Sequence, residues 1–475
     1  MVFVSLFSLF VIIFKPSKRY CARTEKRFGR FQDWHQVLHY GLLRELTLFY
    51  TLWYKLLNAG TRFERHLQWL RSLQYATREE IYEFQVQALK NLFTHCYRNV
   101  PFYRKSWHAR DFDPSDFREL ESLCDVPVTT RSDLRANFPR NTCSHNVTVL
   151  RRLHKYSSGT TGAPLEFYND RCNLGIRLSS RFLHNEWLDM QLTDRWIRMT
   201  HHQAPYRALV NEAQVSTLAA TRSRASNLIH YITRSGVRGI VAFPSVLRIL
   251  SDALLSEHQI LHPPLKAVVS TGEMLLPTDR TRMSSAFGVD VCDRYSAQEV
   301  PGEWAQQCTP NGEMHWNPGI VFLEVWRGDH VAKIGERGQM LVTDLWNRVM
   351  PLVRYEVGDE VKAGGACSCG RTWATIIGPI ERTQDYLMLK NGEHATVADF
   401  ATEIAHEFGR EIIHFQFIET GKSAYKIRTV LAPRIRDFDH LALKDYLSHY
   451  LRDVVIEEGD PITLPSGKSP ILLKS

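Results

Sequence analysis

The chain has 475 residues, room for two or three domains at about 150 residues each, and its 44% hydrophobic, 23% charged composition is that of an ordinary folded protein. Nine cysteines, odd in number and mostly scattered, exclude a small disulfide scaffold and make a reducing compartment the default. The formal charge is +8, but residues 1–40 carry seven Lys or Arg against Glu25 and Asp33, a net of +5, so the rest is nearly neutral and offers no basic stripe for nucleic acid.

The first element, MVFVSLFSLFVIIF, is 14 largely apolar residues followed by Lys15, Lys18 and Arg19. It is shorter than the roughly 20 residues of a membrane span, and it lacks a basic leader and a small-residue cleavage site. Three readings stay open. Residues 1–30 make peripheral membrane contact through an apolar segment held by the basic cluster, or form a buried element, or reflect a misassigned start. A cytoplasmic protein is expected, membrane-associated at its N-terminus under the first reading.

From Gly41 to about Arg98 apolar residues recur at three-to-four spacing, which predicts packing helices. Thr130-Arg131-Ser132-Asp133 reads as a helix start. Between about 150 and 380, strand-like runs at Ile240–Phe243, Ala267–Ser270, Gly288–Cys292 and Gly338–Thr343 alternate with helical stretches such as Ser245–Glu257. After Asp385 the order becomes helix (Val397–Phe408), two strands (Ile412–Glu419, Ala424–Leu431), helix (Phe438–Leu451) and strand (Val454–Glu457). The fold class is therefore α/β: a leader at 1–40, a large multi-layer domain at 41–384 and a small α+β domain at 385–475. No internal repeat or low-complexity tract interrupts it.

One loop is chemically dense. Ser157, Ser158, Gly159, Thr160, Thr161 and Gly162 put four hydroxyls and two glycines into six positions. Such a loop can wrap a polyphosphate with backbone N–H groups while the hydroxyls donate to the remaining oxygens. It is not a Walker loop. It resembles the signature of adenylate-forming enzymes, in the branch of phenylacetate–coenzyme A ligases and CapK-type capsular polysaccharide proteins. Three more segments resemble that family in its order: Ser270-Thr271-Gly272-Glu273-Met274-Leu275, Arg294-Tyr295-Ser296-Ala297-Gln298-Glu299 and Pro351 to Asp359 (PLVRYEVGD). The resemblance spans roughly residues 85 to 475.

The resemblance implies ATP-dependent activation of a small carboxylate to an acyl-adenylate, then transfer to coenzyme A. CapK-type relatives suggest a sugar or amine acceptor in polysaccharide biosynthesis instead. It implies a large adenylation domain with a small mobile lid. The residues 157–162 would hold the outer phosphates, and Gly272 and Glu273 would also bind the ATP or AMP. Glu299 would bind Mg2+, a hard cation suited to carboxylate oxygen; Tyr295 would stack on adenine, and Asp359 would accept the ribose hydroxyls. Arg382 would bind ribose or phosphate, and Asp385 would be the lid pivot, although Glu381 stands where the family has glycine. Lys468, in Leu464-Pro465-Ser466-Gly467-Lys468-Ser469, would bridge carboxylate and α-phosphate as charge moves between them. Each of these also has a plain structural reading: Glu299 as a helix-end charge, Tyr295 as core, Asp359 as a turn former, Gly272 and Glu273 as shapers of a strand-to-helix turn, Lys468 as a tail residue. A catalytically inactive scaffold is the rival of another class.

Cys367 and Cys369 lie one residue apart in a Gly-containing turn, and Cys308 and His315 lie upstream. Three thiols and an imidazole are the donor set of a structural Zn2+ site, and some members of the same branch carry a similar arrangement. His201 and His202 read as a capping or solvated pair, Trp187, Trp196 and Trp304 as core, and Cys172 and Cys292 are given no role.

Overall fold

The helical spacing before Arg98 is realised in Phe63–Leu73 and Arg78–Asn99, followed by Pro101–His108. Thr77 opens the second of these with a capping box: its hydroxyl accepts the Glu80 N–H, and the Glu80 carboxylate accepts the Thr77 N–H at 2.7 Å. The computed structural model describes residues 60–475 except 158–164, 201–205, 208–210, 217–221, 301, 309–312, 383–385, 398–399, 401–403, 405–406, 409–410, 433–434, 436, 465–468 and 475. The leader at 1–40 lies outside these residues, as do Ser158, Gly159, Thr160, Thr161, Gly162, His201, His202, Asp385 and Lys468. The described chain falls within one contact unit, Leu57–Ser475. Among the described residues, no helix is long and apolar enough to cross a membrane.

A mixed sheet organises the large part of the chain. Thirteen of its strands are described, in the spatial order His330–Val331, Val321–Arg327, Arg337–Asp344, Tyr355–Ala363, Thr375–Arg382, Met314–Trp316, Ala305–Gln307, Val291–Tyr295, Ala267–Thr271, Gly239–Ala242, Trp196–Thr200, Glu212–Ser216 and Tyr206–Arg207. Val291–Tyr295 through Glu212–Ser216 run parallel, and from Ala305–Gln307 the pairing turns antiparallel. The parallel half reads as continuous apolar runs because helices Ala225–Arg234, Pro244–Ser256 and Pro277–Phe287 connect its strands and help bury it. Gly239 is required by close packing, since a Cβ there would sit 2.5 Å from the Trp196 ring.

Strand boundaries agree with the sequence reading within a residue or two, with one shift. The run read as Gly288–Cys292 is the strand Val291–Tyr295. Gly288, at φ 67°, instead ends the helix Pro277–Phe287 in the left-handed conformation that glycine tolerates.

The small domain has its own sheet, in the order Asp453–Glu458, Ala424–Leu431, Ile412–Gly421, Leu472–Leu473, with helix His440–Ser448 packed on it. The described residues between Val397 and Phe408 are helical. Phe400, Phe415, Phe417, Ile427, Leu443 and Leu447 form its core, separate from the core of the large domain around Ile240, Leu250 and Val268.

Candidate active site

Tyr295, on the strand where the sheet changes from parallel to antiparallel, meets Asp359, and Glu299 follows Tyr295 four residues later. Tyr295 ends its strand, packs edge-on against the fully buried Trp304 at 5.1 Å, and donates its hydroxyl to the Asp359 carboxylate. Asp359 follows Gly358 (φ 85°) on strand Tyr355–Ala363 and is buried, and the strand register places Arg382 directly opposite it. Arg354, at the start of that segment, is structural: its guanidinium forks onto buried Glu324 at 2.9–3.1 Å and lies over Trp326.

A residue that the sequence presents only as part of a helix start lies beside Glu299. Thr130 caps helix Arg131–Asn137, with its hydroxyl accepting the Asp133 N–H at 3.1 Å and the Asp133 carboxylate accepting the Thr130 N–H at 2.9 Å. Thr129, just before it, is bonded to the Asp359 strand through the Arg354 carbonyl and the Glu356 N–H, both at 3.0 Å. Arg131 is thereby fixed over the site. It donates to Glu299 Oε1 at 3.4 Å and to Ser157 Oγ at 2.6 Å. Ser157 also accepts the Leu165 N–H at 2.9 Å, so the two residues flanking 158–164 are tied together. Glu299 is buried, and a 3.4 Å contact is a long one for a buried carboxylate. The signal for Arg131 was the capping box, which marks its position and not its direction.

Gly272 has φ 78° and lets the chain turn out of strand Ala267–Thr271. Glu273 beside it accepts the Ser245 N–H and hydroxyl at 3.0 Å each, and the Ser469 N–H at 2.8 Å. These are bonds to the start of helix Pro244–Ser256 and to the C-terminal segment.

Behind Tyr295 lies a buried charge network that no motif announced. Arg181, Arg198 and Arg294 surround Glu212 and Glu303, with Arg198 at 3.0 and 2.8 Å from the two carboxylates. Burial opposes ionisation of Glu303, yet the three guanidiniums win and hold its pKa well below the usual carboxylate range. Glu303 of this network directly precedes Trp304, against which Tyr295 packs edge-on.

The four residues Cys308, His315, Cys367 and Cys369 do converge, with one ligand atom from each all lying within 4.8 Å of one another. The Cys308 and Cys367 sulfurs are 3.4 Å apart, and Cys369 Sγ is 3.3 Å from His315 Nε2. Zn–S bonds of about 2.3 Å place tetrahedral sulfurs about 3.8 Å apart, so the donors fit such an ion with small adjustment. His315 Nδ1 lies 2.8 Å from the Trp373 carbonyl and donates to it, which turns the Nε2 lone pair toward the thiols. Cys308 and Cys367 thus join the segments that follow Glu299 and Asp359. Trp196 and Trp304 are core, as expected, whereas half-buried Trp187 stacks under Arg371 at 4.3 Å beside this cluster.

No family model matches the chain. It is 28% identical over 324 residues to the phenylacetate–coenzyme A ligase of Escherichia coli, covering 61% of this chain and 69% of that one. It is 24% identical over 445 residues to that of Thermus thermophilus, covering 78% and 93%. Among solved structures, 2-hydroxyisobutyryl-CoA ligase in the postadenylation state with 2-HIB-AMP superposes at a TM-score of 0.69, with 18% identity over 85% of this chain and 91% of that one. The same ligase in the thioesterification state gives 0.56, with 19% identity over 84% and 91%. The chain is therefore similar in sequence to phenylacetate–coenzyme A ligases and has the fold of the adenylate-forming coenzyme A ligases.

Proposed function

We propose that the chain is an AMP-forming acid–thiol ligase, which activates a small carboxylate with ATP and passes the acyl group to the thiol of coenzyme A. The observation that carries this is the bond of Tyr295 to Asp359, together with the bonds of Arg131 to Glu299 and Ser157. A carboxylate oxygen attacks the α-phosphorus, the α–β phosphoanhydride bond breaks, and pyrophosphate leaves. The thiolate sulfur then attacks the acyl carbon, AMP leaves with the bridging oxygen, and the thiol proton passes to solvent.

The residues divide this work by charge. Asp359 receives the ribose hydroxyls in place of the Tyr295 hydroxyl it now accepts, and Tyr295 presents its ring to adenine. Residues 157–162 and Arg131 would bind the outer phosphates. Glu299 would hold Mg2+, which neutralises polyphosphate charge when bound; a buried carboxylate with one long cation contact is a suitable ligand. Arg382, opposite Asp359, supports the ribose or phosphate end. Lys468 supplies a cation to the first step, and Asp385 serves as the pivot of the small domain. Cys308, His315, Cys367 and Cys369 would hold a Zn2+ that closes two loops and takes no part in chemistry.

The names of the relatives and of the superposed ligase support coenzyme A as acceptor. Carboxylate-dependent ATP–pyrophosphate exchange tests the reading, with phenylacetate, benzoate and 2-hydroxyisobutyrate as probes. Exchange that appears only with a carboxylate, followed by thioester formation on adding coenzyme A, is the expected result. ATP binding without exchange for any carboxylate would favour the inactive scaffold.

A further inference from the structure

Consecutive residues after Gly272 belong to different cores. Leu275 is buried in the large-domain cluster with Met283, Phe287 and Val291. Leu276, the next residue, is 5% exposed and is buried among small-domain residues, including Phe400, Phe417, Leu443 and Leu472. Met274 packs against that same small-domain cluster. The turn thus inserts two apolar side chains of the large domain into the hydrophobic interior of the small one.

A polar bond adds to this contact. Glu273 fixes the start of helix Pro244–Ser256 through Ser245, and its Oε1 also accepts the Ser469 N–H at 2.8 Å. Ser469 belongs firmly to the small domain. Gln416, on strand Ile412–Gly421, accepts the Ile462 N–H at 2.7 Å and donates to the carbonyls of Ile462 and Pro470 at 3.0 Å, and the Ser469 hydroxyl pairs with Thr463 at 3.0 Å. A residue that only shaped its own turn would need bonds within its own domain. Glu273 reaches outside it.

We propose that the Gly272–Leu276 turn is the seat on which the small domain docks in one working orientation, and that Glu273 is a positioning residue for the Ser469 segment and not a nucleotide ligand. The idea rests on the proposed function only for its chemical consequence: Ser469 follows Lys468, so the seat serves adenylate formation. It does not serve thioester formation.

The test uses the full chain and two variants, Glu273→Ala and Leu276→Ala. Small-angle scattering should show a larger radius of gyration for both than for the wild type, with ATP affinity retained. Phenylacetate-dependent exchange should fall on the order of a hundredfold, the cost of misplacing a reacting group by about 1 Å. Thioester formation from supplied phenylacetyl-adenylate and coenzyme A should stay close to wild type. Scattering curves that superpose on the wild type would overturn the seat. ATP affinity lost in step with exchange would overturn it in favour of a nucleotide contact, and an equal fall in both half-reactions would reduce the turn to a structural role. Should the wild type show no exchange with any probe, the functional reading fails while scattering still decides the seat.

Discussion

The proposed nucleotide site and the Cys/His cluster share neighbouring strands, yet they are built in opposite ways. In the first, Tyr295 is half-buried, and Asp359 and Glu299 are each met by a neighbour that a ligand can replace, a phenol hydroxyl and a guanidinium. In the cluster, four donors face one another within 4.8 Å, and the imidazole is locked by a carbonyl behind it. An open arrangement of single charges suits molecules that come and go. A closed donor set suits an ion that stays. Removing a group from the first should cost activity and leave the fold, whereas emptying the second should cost stability first.

The largest effect expected is from Glu299→Ala. It should lower carboxylate-dependent exchange on the order of a thousandfold, about 4 kcal/mol, with an unchanged thermal midpoint; a matching loss of stability would move Glu299 to the structural side of the comparison. Next is metal removal. Purified protein should contain about one zinc per chain, and stripping it should cost roughly 3 kcal/mol of stability, the linkage for an ion held at 100 times its Kd. Zinc near zero in intact protein would break the contrast between the two sites.

Arg131→Ala should weaken ATP binding roughly tenfold, about 1.4 kcal/mol, and leave AMP binding unaltered, as judged by calorimetry. Equal losses for both nucleotides would show that Arg131 only braces Glu299 and Ser157. The smallest effect per unit of pH belongs to His184, fully buried between Trp187 and Trp373 and near Arg294, Arg371 and Glu303. Burial, with Arg294 beside it, lowers its pKa from 6.5 to about 3. The unfolded chain therefore binds more protons between these values, so the His184 contribution is present above pH 6.5 and is lost as pH falls through the window. Stability of the wild type should fall more steeply below about pH 6.5 than that of His184→Gln, by about 1.4 kcal/mol per unit; parallel profiles would place the imidazole in contact with water.

Much of this was legible in the sequence because it rests on local rules. Alternating apolar runs located strands such as Ala267–Thr271, and Thr130 with Asp133 announced a capped helix. The convergence of Cys308 and His315 with Cys367 and Cys369 was suggested by the donor set together with the family resemblance. What escaped depends on partners far along the chain. Arg294 is a buried strand residue because Asn185, Glu303 and Gln306 meet its guanidinium, so a hydrophobicity pattern ends the strand too early. Leu275 and Leu276 look alike in sequence and serve different cores. Arg131 reads as a helix residue until Glu299 and Ser157 are placed beside it.

The central claim is tested most directly by ATP–pyrophosphate exchange on the full chain, with and without phenylacetate, for the wild type and Lys468→Ala. Phenylacetate-dependent exchange in the wild type, lost in the variant with its fold intact, is the result predicted. No exchange with phenylacetate, benzoate or 2-hydroxyisobutyrate, or exchange undiminished in Lys468→Ala, would contradict the account.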